Sequence, residues 1–336
     1  MLRPTIALAL LAGIAASPSW SQPYPNRPIR MMIPQPPGGT MDTMARALAE
    51  PLVREFGQNI VIDNRSGANG IIAGETLARA APDGYTLLYT SASLANNQLV
   101  MKKPPFDVLK DFAPVTLANT LPGYLIIVNA QSPARSVKDL VELSKTTRVH
   151  YGSSGVGNSQ HLLGELINAR TGARMVHVPY KGFALIVNAV LGNEIQVVFG
   201  SPTTVVAHIK AGRLRAVAYT GAQRLSGMQD VPTVSESGIP GMVYEASWHG
   251  IFAPAATPRP VILQFQADAA KALQTPRLSQ YITESGHAPG GGTPDEFRKF
   301  LVRYLEDTAE QLRIAGEAGV TASRGARVNI AAGEMA

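Results

Sequence analysis

Two successive blocks of alternating strand and helix patterns constrain this chain more than any other feature of its sequence. In the first block, residues 29–33 form a short β-rich run that ends at Pro34, Pro36, Pro37, Gly38 and Gly39, breakers of strand and helix interiors. Met44, Leu48, Leu52, Val53 and Phe56 then recur at helical spacing, and Gly57 closes the helix. Residues 60–62 read as the next strand, 71–80 as a helix, Pro82-Asp83-Gly84 as a turn and 86–89 as a third strand. Such repeated βα units predict a parallel sheet covered by helices. The pattern restarts with β-rich segments at 124–128, 149–151, 175–178, 195–199 and 214–219, separated by helical patterns at 137–144, 159–170, 183–191 and 203–210. Beyond these, 244–252 reads extended and 261–273, 276–285 and 294–315 read as helices. The stretch 316–336, rich in Gly and Ala, reads as a frayed tail.

With 45% hydrophobic and 16% charged residues among 336, the chain has apolar material for two cores. There is no cysteine, which removes thiol nucleophiles, thiolate metal sites and disulfides together. The formal charge of +6 comes from basic residues scattered singly, and aromatics make up 6%. No basic stripe interleaved with aromatics marks a nucleic-acid surface, and a mild positive bias steers small anions instead.

The N-terminus carries a compartment signal. Arg3 gives a short basic start, residues 5–16 are apolar, and small residues stand at Ser19 and Ser21. This reads as a secretory signal over 1–21, cleaved before Gln22. The apolar stretch is too short to span about 30 Å of hydrocarbon, and no basic stop-transfer cluster follows it.

Two strand-to-helix loops stand out, because ligands of open α/β sheets sit beyond the carboxyl ends of strands. The first is Pro34-Gln35-Pro36-Pro37-Gly38-Gly39-Thr40-Met41-Asp42. Its glycines permit close backbone approach, and the helix behind it offers free N–H groups and a positive dipole end to an anion. A tight turn in which Asp42 merely complements the dipole reads equally well. The second is Tyr151-Gly152-Ser153-Ser154-Gly155-Val156-Gly157-Asn158-Ser159, where hydroxyls join the backbone donors. The plain alternative is that Asn158 or Ser159 caps the following helix.

Other constellations fail. No G-x-G-x-x-G, G-x-x-x-x-G-K-S/T or G-x-S-x-G run occurs, and the six histidines include no H-E-x-x-H or helical ligand pair. Neither a cofactor nor a metal is expected.

Ordered motifs then resemble a known family. Tyr24-Pro-x-Arg27-Pro-Ile-Arg30, Pro36-Pro-Gly-Gly39 with Asp42, Ala45 and Arg46, and Asn64-Arg65-x-Gly67-Ala68-x-Gly70 open the match. Ala81-Pro-Asp-Gly-Tyr-Thr86, Lys110-Asp-Phe-Ala-Pro-Val115, Ser153-Ser-Gly-Val-Gly157, His177-Val-Pro-Tyr-Lys-Gly182, Asp230-Val-Pro-Thr233 and 290–297 continue it. In order and in register, they resemble the Bug (TctC-like) extracytoplasmic solute receptors of tripartite tricarboxylate transporters.

The resemblance implies a type II periplasmic-binding-protein fold, two α/β domains with a hinge and an interdomain cleft that closes on a small carboxylate. It places 22–118 plus 246–315 in one domain and 119–245 in the other. Carried onto this sequence, the ligand residues are Gly38, Gly39 and Thr40 facing Ser153, Ser154 and Gly155, with Ser91 lining the cleft. Lys181 in the following turn is a further candidate for the cleft wall, although a solvated turn is the plainer reading. Many relatives have Phe-Asp-Asn where this chain has Phe199-Gly200-Ser201, so an acid able to meet a ligand amine is missing. Gln35 replaces a frequent Phe. A mono- or dicarboxylate without an amine is therefore the expected ligand. The implied partners are a large multi-span permease and a small four-helix membrane subunit; the receptor itself is expected to be a periplasmic monomer that binds no nucleic acid. Two rivals remain: a receptor feeding a membrane sensor, and an exported hydrolase using Ser153 or Ser154 with His161 or His177 as base.

Overall fold

The computed structural model describes residues 24–317. The expected secretory signal at 1–21 and the tail beyond Glu317 lie outside the described residues. Eleven strands are present among the described residues: β1 (Ile29–Ile33), β2 (Ile60–Asn64), β3 (Thr86–Ser91), β4 (Phe112–Leu121), β5 (Leu125–Asn129), β6 (His150–Ser153), β7 (Val176–Pro179), β8 (Val197–Gly200), β9 (Leu214–Tyr219), β10 (Ser247–Pro254) and β11 (Ala288–Pro289). Between them run α1 (Thr40–Phe56), α2 (Ile71–Ala78), α3 (Ser93–Val100), α4 (Val137–Thr146), α5 (Ser159–Thr171), α6 (Phe183–Leu191), α7 (Pro202–Lys210), α8 (Arg259–Leu273), α9 (Pro276–Glu284) and α10 (Pro294–Glu317).

The strands form two sheets, ordered β11-β4-β10-β3-β1-β2 and β7-β6-β8-β5-β9. Each sheet has helices on both faces, and its central strands are near-continuous apolar runs, as burial on both sides demands. Ile29, Met31, Met32 and Ile33 of β1 are fully buried, as are the first four residues of β5.

The parallel pairing expected of the first βα units is present, but both sheets are mixed. β1 pairs with β2 and β3 in parallel, but β10 runs antiparallel to both β3 and β4. In the second sheet β6 is parallel to β7 and β8, whereas β5 is antiparallel to β8 and β9. The reason is topological: the chain leaves the first sheet by β4 and returns by β10, and a strand that re-enters from the other lobe is not bound by the crossover rule of a βα unit. β4 also lay hidden in the sequence, since its Pro114 and polar Thr116, Asn119 and Thr120 blur a strand pattern. The expected boundary at 118/119 falls inside this strand, whose register with β10 continues to Leu121.

Both crossings are tied together by Thr220. Its backbone exchanges hydrogen bonds with Tyr124 and Tyr244, and its hydroxyl accepts the Tyr124 amide and donates to the Tyr244 carbonyl, each at 2.9 Å. A Cβ at Gly123 would stand 2.5 Å from the Gly221 nitrogen, so only glycine lets these segments meet. The long helix α10 packs on both β4 and α5 and so touches each lobe.

Candidate ligand-binding site

The first loop leaves β1 and enters α1, whose buried face of Met41, Met44, Ala45, Leu48 and Leu52 seats it on the first sheet. Gly39 is the N-cap, with no side chain capping the first turn. The N–H groups of that turn are thus left for a ligand or water, at the positive end of a helix of 17 residues. The structure treats Gly38 differently. Its N–H donates to Asp42 Oδ2 at 2.9 Å, which takes it away from any ligand. Asp42 also receives Arg46 Nε at 3.0 Å and Asn64 Nδ2 at 3.0 Å. Burial pushes the Asp42 carboxyl up, but these three donors outweigh it and hold the group below the ordinary carboxylate range. Asp42 is the loop's internal anion, and the helix N-terminus stays open.

The second loop joins β6 to α5. Leu162, Leu163, Leu166 and Ile167 seat α5, and Asn158 caps it by accepting the Gln160 amide at 2.7 Å, which is the plain reading of this position. Gly164 lets the helix press on β6, because a Cβ there would lie 2.3 Å from the Tyr151 ring. Most of the loop's donors are already engaged. Ser153, fully buried, accepts the Gly155 amide at 3.2 Å, donates to the Gly155 carbonyl at 2.9 Å and lies 2.6 Å from His177 Nε2. The Ser154 amide and hydroxyl both point to Gln160 Oε1, at 3.1 and 3.3 Å. Gln160 is in turn anchored to the Phe199 carbonyl.

The Ser153–His177 contact has the geometry of a nucleophile and base, but the hydroxyl has no exposed surface and its proton goes to a carbonyl. Its observed role is to shape the loop.

Ser91 closes β3, which is parallel to β1, so it stands at the carboxyl end from which the first loop departs. Its hydroxyl accepts a long contact from the Ser93 amide, 3.4 Å. Lys181 is exposed after β7, as a solvated turn requires.

The residue that joins the loops is Asn69, one of the variable positions in the Asn64–Gly70 motif. It lies in a 3-10 turn, Ala68–Gly70, with left-handed φ of 53°. Its Nδ2 donates to Asn97 Oδ1 at 3.0 Å and to the Val156 carbonyl in the second loop at 3.3 Å. A Cβ at neighbouring Gly70 would meet Pro34, the first residue of the first loop, at 3.3 Å. Asn64 holds the same loop through the Gln35 carbonyl at 2.9 Å. The only available clue was an Asn between glycine-rich neighbours, a residue that tolerates left-handed backbone.

Two surface concavities lie apart from these loops, one of about 500 Å³ beside Arg30 and Arg79 and one of about 300 Å³ beside Tyr219 and Arg224. Neither includes an expected ligand residue.

The family description "Tripartite tricarboxylate transporter family receptor" matches residues 44–313. The chain belongs to this TctC family of solute receptors. Protein BugT of Bordetella pertussis is 35% identical over 309 residues, covering 91% of this chain and 94% of BugT. Among solved structures, R. palustris Rpa4515 with adipate superposes with a TM-score of 0.81 at 31% identity, over 87% of this chain and 98% of that one. The periplasmic binding protein BugD gives 0.79 at 29% identity, over 87% and 99%. The periplasmic-binding-protein fold and the receptor class expected from the motifs are both borne out.

Proposed function

We propose that this TctC-family receptor is exported, binds a small organic carboxylate that lacks an amine, and delivers it to the permease subunits of a tripartite transporter. Its two lobes, one built on each sheet, are proposed to close on the ligand as a monomer. The observation that carries this reading is the uncapped N-terminus of α1, linked through the 64–70 segment and Asn69 to the Ser153–Gly157 loop. A carboxylate at this helix end takes up amide protons and dipole without an arginine. Donors from the second loop complete the shell when the lobes close, so the ligand favours the closed state. Gly39 and Thr40 are the primary contacts in this reading; Ser91 and Ser154 supply hydroxyls, while Gly38, Ser153 and Gly155 shape the loops. The adipate found with Rpa4515 supports the ligand class.

The surroundings of Gly200 support the absence of an amine partner. A Cβ there would lie 3.0 to 3.2 Å from Val205, Phe183 and Ile127, an apolar niche with no place for an acid. Binding without turnover is proposed, since the buried Ser153 hydroxyl meets no substrate.

The test is a thermal-shift screen of the mature protein against mono-, di- and tricarboxylates. A ligand at 100 times its Kd stabilises by about 2.7 kcal/mol. Gly39→Asp places a carboxylate at the helix end and is expected to abolish that shift while the protein remains folded. Undiminished binding by this variant overturns the assigned site.

A further inference from the structure

Beneath the Ser153–Gly157 loop lies a pair of histidines to which carboxylate binding assigns no task. His161, on α5, and His177, on β7, stack with ring centroids 4.2 Å apart and an interplanar angle of 38°. Each ring reaches a different end of the loop. Gly157 N–H donates to His161 Nδ1 at 3.1 Å, and His177 Nε2 stands 2.6 Å from Ser153 Oγ.

Proton counting fixes the direction of the His161 bond and leaves the His177 contact two tautomers. A backbone amide can only donate, so His161 Nδ1 carries no proton and the ring is the neutral Nε2–H tautomer. In the Nε2–H tautomer of His177 the short contact is a donation into Ser153 Oγ, and the single serine proton stays in its bond to the Gly155 carbonyl. The serine oxygen then accepts twice and donates once, and no capacity is left over. Burial supports two neutral rings. Tyr151 lies 5.2 Å from the His177 ring and brings no charge, while Glu165, the acid facing His161 from the next turn of α5, accepts the Tyr151 hydroxyl and favours a charged His161, an effect that burial outweighs. Burial lowers both imidazole pKa values, that of His177 to about 4, and neither ring can charge without repelling the other.

We propose that His161 and His177 are positioning residues for the ligand: together they clamp both ends of the serine-glycine loop and so set the directions in which its backbone meets the carboxylate. This rests on the reading of that loop as one wall of the site. Each imidazole touches the loop and neither touches the ligand.

The test has two arms, so that failure of the clamp and failure of the functional reading can be told apart. In the ligand-free protein, nitrogen-edited NMR is expected to show the Gly157 amide protected from exchange, and the His161 ring as the Nε2–H tautomer by its ring-nitrogen shifts. A rapidly exchanging Gly157 amide, or the opposite tautomer, overturns the clamp whether or not any ligand binds. In the second arm adipate, as the probe, is titrated into variants. His161→Ala and His177→Ala are expected to weaken it about tenfold each, the loss of roughly one hydrogen bond's net free energy. His161→Asn returns an acceptor near Nδ1, and His177→Gln returns a donor near Nε2; each is expected to recover most of the affinity. Alanine variants that bind as the parent does, or amide variants that bind no better than alanine, overturn the proposal. If the parent binds no carboxylate, the functional reading fails and the amide arm alone decides the clamp.

Discussion

Asn69 and Asn97 form a reciprocal amide pair: Asn69 Nδ2 donates to Asn97 Oδ1 at 3.0 Å, and Asn97 Nδ2 donates back to the Asn69 carbonyl at 3.0 Å. The pair sustains two consecutive left-handed residues, Ala68 and Asn69, between Gly67 and Gly70, and leaves the Asn69 amide within reach of Val156 across the cleft. Local strain is therefore held by α3, a rigid element, at the point where the lobes touch.

Two substitutions separate strain from contact. Asn69→Gly tolerates the backbone but loses the amide, and is expected to weaken carboxylate binding severalfold with a small change in stability. Asn69→Ala loses the amide and adds left-handed strain of about 1 kcal/mol or more. Isothermal titration and urea melts of both variants check this; equal stability of the two counts against strain at this position.

Ser153 and Ser154 are adjacent in sequence and opposite in expected effect. Ser153→Ala leaves His177 Nε2 and the Gly155 amide without the hydroxyl they meet, at a cost of about 1–3 kcal/mol in a urea melt. Ser154→Ala gives up a longer contact to Gln160, so its stability is expected to change little while affinity falls. A stable Ser153→Ala protein would reverse these roles.

Acid sensitivity follows from three buried imidazoles. Burial, aided by the facing His287 ring, lowers His249 from 6.5 to about 3; burial likewise takes His287 and His177 to about 4. The unfolded chain takes up these protons below about pH 6.5, whereas the folded chain refuses them until much lower pH. Their contribution is thus complete above pH 6.5 and is lost progressively as pH falls toward the folded values. The melting temperature is expected to drop between about pH 6.5 and 4, and His249→Asn to make that drop shallower. A melting temperature that stays level across this window contradicts the assignment.

Gly200→Asp tests the ligand class. The niche of Phe183, Val205 and Ile127 offers a carboxylate no partner, so the variant is expected to lose about 3 kcal/mol or more and to gain no affinity for an amino acid. A well-folded variant that binds aspartate would show that the niche reshapes.

The βα periodicity placed β1, α1, β2 and β3 within a few residues of where they lie, because their apolar spacing reports burial directly. It missed β4, whose Pro114, Thr116, Asn119 and Thr120 break the apolar pattern, and the direction of β10, which depends on a return from the other lobe. Both site loops were recognisable as Gly-rich breaks between a strand and a helix. Which of their protons stay free was not, because that depends on partners far along the chain: Gly38 loses its N–H to Asp42, and Ser153 is occupied by His177, 24 residues away.

Apolar period, breakers and glycine positions act over a few residues, so they were enough to mark two α/β blocks, and the resemblance carried by the ordered motifs pointed to the receptor family. The division of labour inside the site came from folding. Asn69 reaches a loop 87 positions away, and Thr220 binds segments 96 and 24 positions distant. Hydrogen-bond donors are few and directional, so each is claimed by whichever acceptor the folded backbone brings near, and no spacing rule along the chain encodes that choice.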